Sequence, residues 1–590
     1  MKGKALVVWL ILGVLLTGGV LRAEDEGPPA GDVRYAAFEV AGELPETLPP
    51  VYLVEPQQET LHELLARLRK AAKDERLAGL IVHVHGFAGG WAKAQEVRKA
   101  IIENRAAGKR VICVLESPGT LTYYVATAAD RVVITPAGNL MVSGLRIEAV
   151  FARKLLDTIG VKADLIQAGK YKTAGEELTR TDFSEPARRA LRAVLEDYYG
   201  QLRDGIAAGR AVSAERAEQF LDGGPYTAEA AREVGLVDDV LYRDELIADL
   251  ERRHGKPVTV VTGYALATSG ARRPSGGMNI FQFLMPSRPP SRIAPSGPAV
   301  AVVYAVGPIL RTQDSDLSIG DQVAAADRIN AAIRAALHEP NVKAIVLRVN
   351  SPGGSALASD LIWRQAHLAN AEKPVVASMS DTAASGGYYV AAGARRIVAE
   401  PGTLTGSIGV VGGKLVVADL FEKIGLTVDV IQAGEGGGMF SSFREFDAVE
   451  RARMRRLIGD IYDQFLDRVA QTRRALTAVE VDEVAQGQIW TGRQAEERHL
   501  VDRLGGLSDA IRLAAEEAGI PEDADIKVVH LPRPRSLLEA LFFGPGVSAP
   551  TRDLTGVLAR FPRLQGYVRG LMALREEPTL CLMPALLFIR

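Results

Sequence analysis

The chain has 590 residues, 47% of them hydrophobic and 24% charged, which is the composition of a folded globular protein and not of a disordered, collagenous or coiled-coil chain. Its 70 Lys and Arg nearly balance its 72 Asp and Glu, so no global positive field draws nucleic acid to the surface. Cys113 and Cys581 are the only cysteines; they exclude a disulfide scaffold, and with no CxxC or Cys/His cluster no zinc motif is present.

In chain order, the first predicted element is a targeting segment over 1–26. Lys2 and Lys4 precede an apolar run from Ala5 to Leu21, and Arg22 and the acidic Glu24, Asp25 and Glu26 follow it. At about 1.5 Å per residue the run spans roughly 25 Å, between a signal-peptide core and a membrane helix. Both a signal peptide and a signal anchor fit. Cleavage after Ala23 would put the bulky Leu21 where a small residue is preferred, which favours an uncleaved anchor with the body outside the cytoplasm.

The stretch 33–262 reads as an α/β unit. Leu61, Leu64, Leu65 and Leu68 share one helix face, and the runs GLIVHV and VICVL are buried strands, which places Cys113 in core packing. A connection over 263–297, rich in Pro, Ser, Gly and Arg, precedes a second α/β unit over 298–532 with the strand runs AIVLRV and VVASM. In the tail, 533–590, the apolar pieces LLEALFF and LCLMPALLFI are too short to span a bilayer, and burial against the body is the expectation.

The two units are copies of each other. IVHVHGFAGG from Ile81 pairs with IVLRVNSPGG from Ile345, and TYYVATAADRVVITP from Thr122 with GYYVAAGARRIVAEP from Gly387. DLIQAG from Asp164 pairs with DVIQAG from Asp429, and YTAEAAREVGLVD from Tyr226 with WTGRQAEERHLVD from Trp490. The near-constant offset of 264 or 265 residues predicts two tandem α/β domains with buried parallel sheets.

Duplication makes each copy a control for the other. Ser385, in AASGGYYV, stands where a strand turns into a helix between two alanines and two glycines; its counterpart is Thr120, whose β-branch and larger neighbours crowd it. Small neighbours let a carbonyl approach the hydroxyl, and the backbone N–H groups of Gly354 (in NSPGG) and Gly386 form a candidate oxyanion hole. None of the eight histidines is placed as a base. His83 and His85 share a strand face, but no third metal ligand is evident and the alignment sets Leu347 and Val349 opposite them. After the shared IQAG the first copy continues GKYKTAGEE, with Lys172 where the second has Gly437. A lysine made neutral by burial can deprotonate a serine. Taken singly, a serine packed at a helix start and a solvated lysine remain open as plainer readings.

NSPGG, AASGGYY, TGSIGV and GKYKTA, occurring as a set, resemble the signal peptide peptidase A family in its long form with two tandem halves, a relative of the Clp protease and crotonase folds. The resemblance runs from about residue 50 to about residue 530 and implies fold, site and partners together. Ser385 would be the nucleophile, Lys172 the general base from the other half, and Ser407 the residue that orients the lysine, while Lys170 would be structural. It further implies a homotetramer in the inner (cytoplasmic) membrane, its body facing the periplasm or extracytoplasmic side, that cleaves remnant signal peptides and unfolded hydrophobic segments without metal, ATP or other cofactor. Rival readings are a crotonase-like acyl-thioester enzyme and a non-catalytic membrane scaffold.

Overall fold

The computed structural model describes residues 32–48, 51–52, 58–266, 295–312, 322–473, 476–522, 524, 526–533, 535–536, 579–583 and 588–589. The proposed targeting segment and most of the connection between the units lie outside them. Among the described residues no helix is long and apolar enough to cross a membrane.

The first unit is built on strands β1 (Val33–Gly42), β2 (Gly79–Phe87), β3 (Arg110–Leu115), β4 (Arg131–Ile134), β5 (Lys162–Ala168), β6 (Asp239–Val240) and β7 (Val258–Val261), with helices α1 (Leu61–Lys73), α2 (Trp91–Ala106) and α3 (Arg243–His254). All but β5 form one parallel sheet in the order β6-β4-β3-β2-β1-β7. Both faces are covered, which is why the strands read as continuous apolar runs: α1 and α2 cover Leu80, Val82 and Val84, and α3 covers Ile81, Ile112 and Val133. Thr60 and Glu63 form a capping box that starts α1, and its Leu61, Leu64, Leu65 and Leu68 are all buried, as their spacing predicts.

The second unit repeats the plan with β8 (Ala299–Val306), β9 (Val342–Ser351), β10 (Gly353–Ser355), β11 (Val375–Ala384), β12 (Leu404–Gly406), β13 (Val410–Val416), β14 (Ile489–Thr491) and β15 (Lys527–Leu531). Its sheet runs β14-β12-β11-β9-β8-β15, and Arg396–Ala399 pairs alongside β11. Helices α4 (Ala356–Ala369), α5 (Gly386–Ala391) and α6 (Ala448–Thr472) cover one face, and α7 (Leu507–Glu517) covers the other.

Sidedness corrects the sequence alignment by one residue. Ile81 faces α3 as Val346 faces α7, so His83 corresponds to Arg348 and His85 to Asn350, not to Leu347 and Val349. Because strand faces alternate, a one-residue slip in an alignment moves every side chain to the opposite face.

The units are joined by buried polar contacts and by a shared sheet. Arg348 is fully buried; its guanidinium donates to Glu46 at 2.8 Å and Glu96 at 2.6 Å, both from the first unit, and to Ser378 at 2.9 Å. Burial alone would raise the Glu46 carboxyl, but Arg348 and Lys93 outweigh it and hold it down to about 2. In the shared sheet β5 runs antiparallel to β13, from Ala168 opposite Val410 to Lys162 opposite Val416. The far edge of β13 pairs with β16 (Thr579–Leu582), a strand from the tail, which pairs in turn with β10.

Candidate active site

Ser385 sits at the turn from β11 into α5 with φ of +56°, a left-handed conformation that is unfavourable for a residue with a side chain. It is held there by backbone bonds: its N–H donates to Gly406 O at 2.8 Å, and its carbonyl accepts from Tyr389 N–H at 2.9 Å. The side chain is completely buried.

Lys172 reaches it from the first unit. After β5 leaves the shared sheet, the chain turns against the second unit, where Tyr171 N–H donates to Gln486 O at 2.6 Å and Lys170 N–H to Gln486 Oε1 at 3.2 Å. Gly487, at φ +79°, permits this approach: a Cβ there would lie 2.3 Å from Lys172 N. Lys172 Nζ then lies 2.6 Å from Ser385 Oγ, 2.8 Å from Ser407 O and 3.0 Å from Ser407 Oγ. All three side chains are fully buried. Burial pulls the Lys172 ammonium down from about 10.5 to about 7, with Cys581 acting weakly in the other direction.

Geometry thus brings together Ser385, Lys172 and Ser407, from both halves. Gly354 and Gly386 join them: a Cβ on Gly386 would stand 3.1 Å from Gly354 N. Gly354, at φ +154°, has no room for a side chain because a Cβ would lie 2.1 Å from Ile309 O. Lys170 is exposed and stacks over the Tyr171 ring at 5.6 Å. Gly437 is exposed, and Thr120 bonds the carbonyl of Ser143 at 3.3 Å.

Sequence reasoning missed β16. It fills the slot between β10 and β13, with Gly354 opposite Cys581 and Val411 opposite Leu580. Leu580 and Leu582 pack with Ala174 and Val411 on one face, while Cys581 points to the opposite, core face. Its carbonyl lies 2.1 Å from where a Cβ of Gly353 would be. Burial pushes the Cys581 thiol up to about 12, partly opposed by Lys172, so it is not a thiolate near neutral pH. The tail has no counterpart in the first copy, so repetition gave no signal for this strand.

The structure also supplies the third ligand missing beside His83 and His85. Glu39 lies in register with His83 on β1, and donor atoms of the three residues fall within 4.8 Å of one another.

The model of peptidase family S49 matches residues 103–270 and 367–521, segments that contain Lys172 and Ser385 with Ser407 respectively. The chain is 34% identical over 510 residues to "Serine protease SPPA, chloroplastic" of Arabidopsis thaliana, covering 86% of this chain and 73% of that one. It is 31% identical to "Protease 4" of Salmonella typhi, over 79% of this chain and 73% of that one. To "Protease 4" of Haemophilus influenzae it is 29% identical, over 80% and 75% respectively.

Proposed function

The chain belongs to peptidase family S49 and is a serine-type peptidase, and from that premise we propose that it is a membrane-associated endopeptidase working through a Ser385–Lys172 dyad. The observation that carries this reading is the 2.6 Å separation of Lys172 Nζ and Ser385 Oγ in a fully buried setting. A neutral amine has two N–H bonds and one lone pair. It can donate to Ser407 O and Ser407 Oγ while its lone pair accepts the Ser385 hydroxyl proton, so each of the three contacts has a use.

In the proposed mechanism Ser385 Oγ bonds to the scissile carbonyl carbon as its proton passes to Lys172 Nζ. The N–H groups of Gly354 and Gly386 stabilise the resulting oxyanion. Collapse breaks the C–N bond, and the Lys172 ammonium protonates the departing amine. Water then attacks the acyl ester, giving up a proton to Lys172, and Ser385 Oγ leaves and is reprotonated. Ser407 holds the amine in line.

An extended peptide would occupy the slot held by β16, pairing its backbone with β10 and β13. Burial of alternate side chains there suits unfolded, apolar segments such as remnant signal peptides. We assign the segment 1–26 to a membrane anchor with the body on the extracytoplasmic side of the inner membrane, and the assembly to a homotetramer, as the family resemblance implies.

Ser385→Ala and Lys172→Ala should each abolish casein cleavage while leaving the circular dichroism spectrum unchanged. A fluorophosphonate should label Ser385 stoichiometrically. Full cleavage by either variant overturns the dyad; coenzyme A binding without fluorophosphonate labelling would favour acyl-thioester chemistry instead.

A further inference from the structure

We propose that Glu39, His83 and His85 form a binding site for a divalent transition-metal ion, best matched by zinc, on the first unit's sheet and separate from the Ser385–Lys172 site.

The donors suit such an ion. His83 and His85 alternate to the same face of β2, their rings nearly parallel at 4° with centroids 5.8 Å apart. Glu39 stands across from His83 on the neighbouring strand, and its Oε2 lies 2.7 Å from His85 Nε2. Two imidazoles two residues apart on one strand, with a third ligand from the next, converge naturally because the pleat sends all three to one side. Zinc holds nitrogen and carboxylate ligands at about 2.0–2.2 Å, which sets tetrahedral donors about 3.3 Å apart. The donors here fall within 4.8 Å of one another, so small side-chain rotations close the shell.

Two further observations point to a ligand. His83 is 6% exposed, yet its imidazole has no hydrogen-bond partner among the described residues. A ring nitrogen of His83 lies within 4.8 Å of a carboxylate oxygen of Glu39 and a ring nitrogen of His85, a spacing that a shared ion would close. Glu116, just beyond β3, places Oε1 3.8 Å from His85 Nδ1. When His85 ligates through Nε2, its Nδ1–H is free to donate to Glu116, the arrangement by which outer carboxylates orient ligating histidines.

The site is specific to the first copy. The corresponding positions of the second carry Tyr304, Arg348 and Asn350, and there Arg348 is committed to Glu46 and Glu96. Glu39 and His85 are open to solvent, which gives an ion an entry path. A bound ion would tie the ends of β1 and β2 together immediately before the segment leading to α2, whose first N–H groups hold Asp381 of the second unit.

The test is calorimetric titration of tag-free, chelator-treated full-length protein with zinc chloride, alongside cobalt chloride for its visible spectrum. The expected result is saturable binding of one ion per chain with a tetrahedral cobalt spectrum. Glu39→Gln and His85→Ala, both at exposed positions, should lose that binding, and Glu116→Ala should weaken it by about 10–100-fold. His83→Ala should also lose it; if that variant does not fold, the two exposed variants decide. Absence of saturable binding, or binding unchanged in Glu39→Gln and His85→Ala, overturns the site. Casein cleavage by these variants separates the two proposals: retained cleavage with lost zinc binding supports both, and wild-type zinc binding without Ser385-dependent cleavage keeps the metal site and removes the dyad.

Discussion

In the proposed dyad Lys172 carries a proton equilibrium that links fold to activity. Its folded pKa of about 7 lies below its ordinary 10.5 because the amine is buried. As the base it must be neutral, so kcat/KM should rise with pH through about 7 and level off above it; a flat profile between pH 6 and 8 would contradict the assignment. The same depression acts on stability with a definite sign. The unfolded chain binds the extra proton between about 7 and 10.5, so the destabilisation is full below 7 and is relieved as pH climbs through that window. Lys172→Met keeps the volume and removes the amine. It should therefore abolish cleavage yet raise the melting temperature, more at pH 7 than at pH 10, whereas a loss of stability at both would mean that the amine is a structural tie. The juxtaposed Ser385 and Lys172 were legible as sequence because duplication exposed where the copies differ, and Ser385 stood among residues small enough to leave its hydroxyl approachable. Glu39 was not, since it joins His83 and His85 only through strand pairing between residues 44 positions apart.

At the scale of elements, the sheets were legible because parallel strands buried on both faces leave long Val and Ile runs, and because each run recurs. The shared sheet was not. The pairing of β5 with β13 depends on how the copies dock, and that of β16 with β10 brings residues more than 200 positions apart into register. In the proposed mechanism β16 competes with substrate for the same backbone groups. Burying Leu580 and Leu582 contributes about 1.5–3 kcal/mol each, enough to keep the strand docked most of the time. An apparent affinity is reduced by the fraction of molecules whose cleft is open, so ending the chain after Glu577 should lower KM for an apolar peptide by at least about tenfold, the cost of ordering the strand offsetting part of the burial. A synthetic Thr579–Met583 peptide should then compete with that substrate. If the truncated protein folds with an unchanged KM and the peptide does not compete, β16 is a structural strand only. If truncation prevents folding, Leu580→Asp in the full chain gives the same reading by undocking one side chain.

For the whole molecule, the proposed dyad draws its residues from two copies and so makes activity depend on how the copies stay docked, and that contact includes buried charged groups. Arg348 is satisfied by Glu46 and Glu96, but Glu400, in the same buried region, has an Oε1 with no hydrogen-bond partner among the described residues. Burial, and next the charge of Glu96, push its carboxyl up to about 8, Lys99 offsetting only part of this. The sign is opposite to that for a paired carboxylate. Glu400 is neutral in both states below about 4.5; as pH rises from there to about 8 the unfolded chain releases a proton that the folded one retains, and stability falls. Glu400→Gln retains the shape without the charge, so its melting temperature should exceed that of the parent clearly at pH 8.5 and little at pH 5. Scanning calorimetry at the two pH values, with casein cleavage measured in parallel, checks this. An equal shift at both would mean that Glu400 does not titrate in that window, and a variant that is stabilised but inactive would mean that the docked arrangement must yield during turnover.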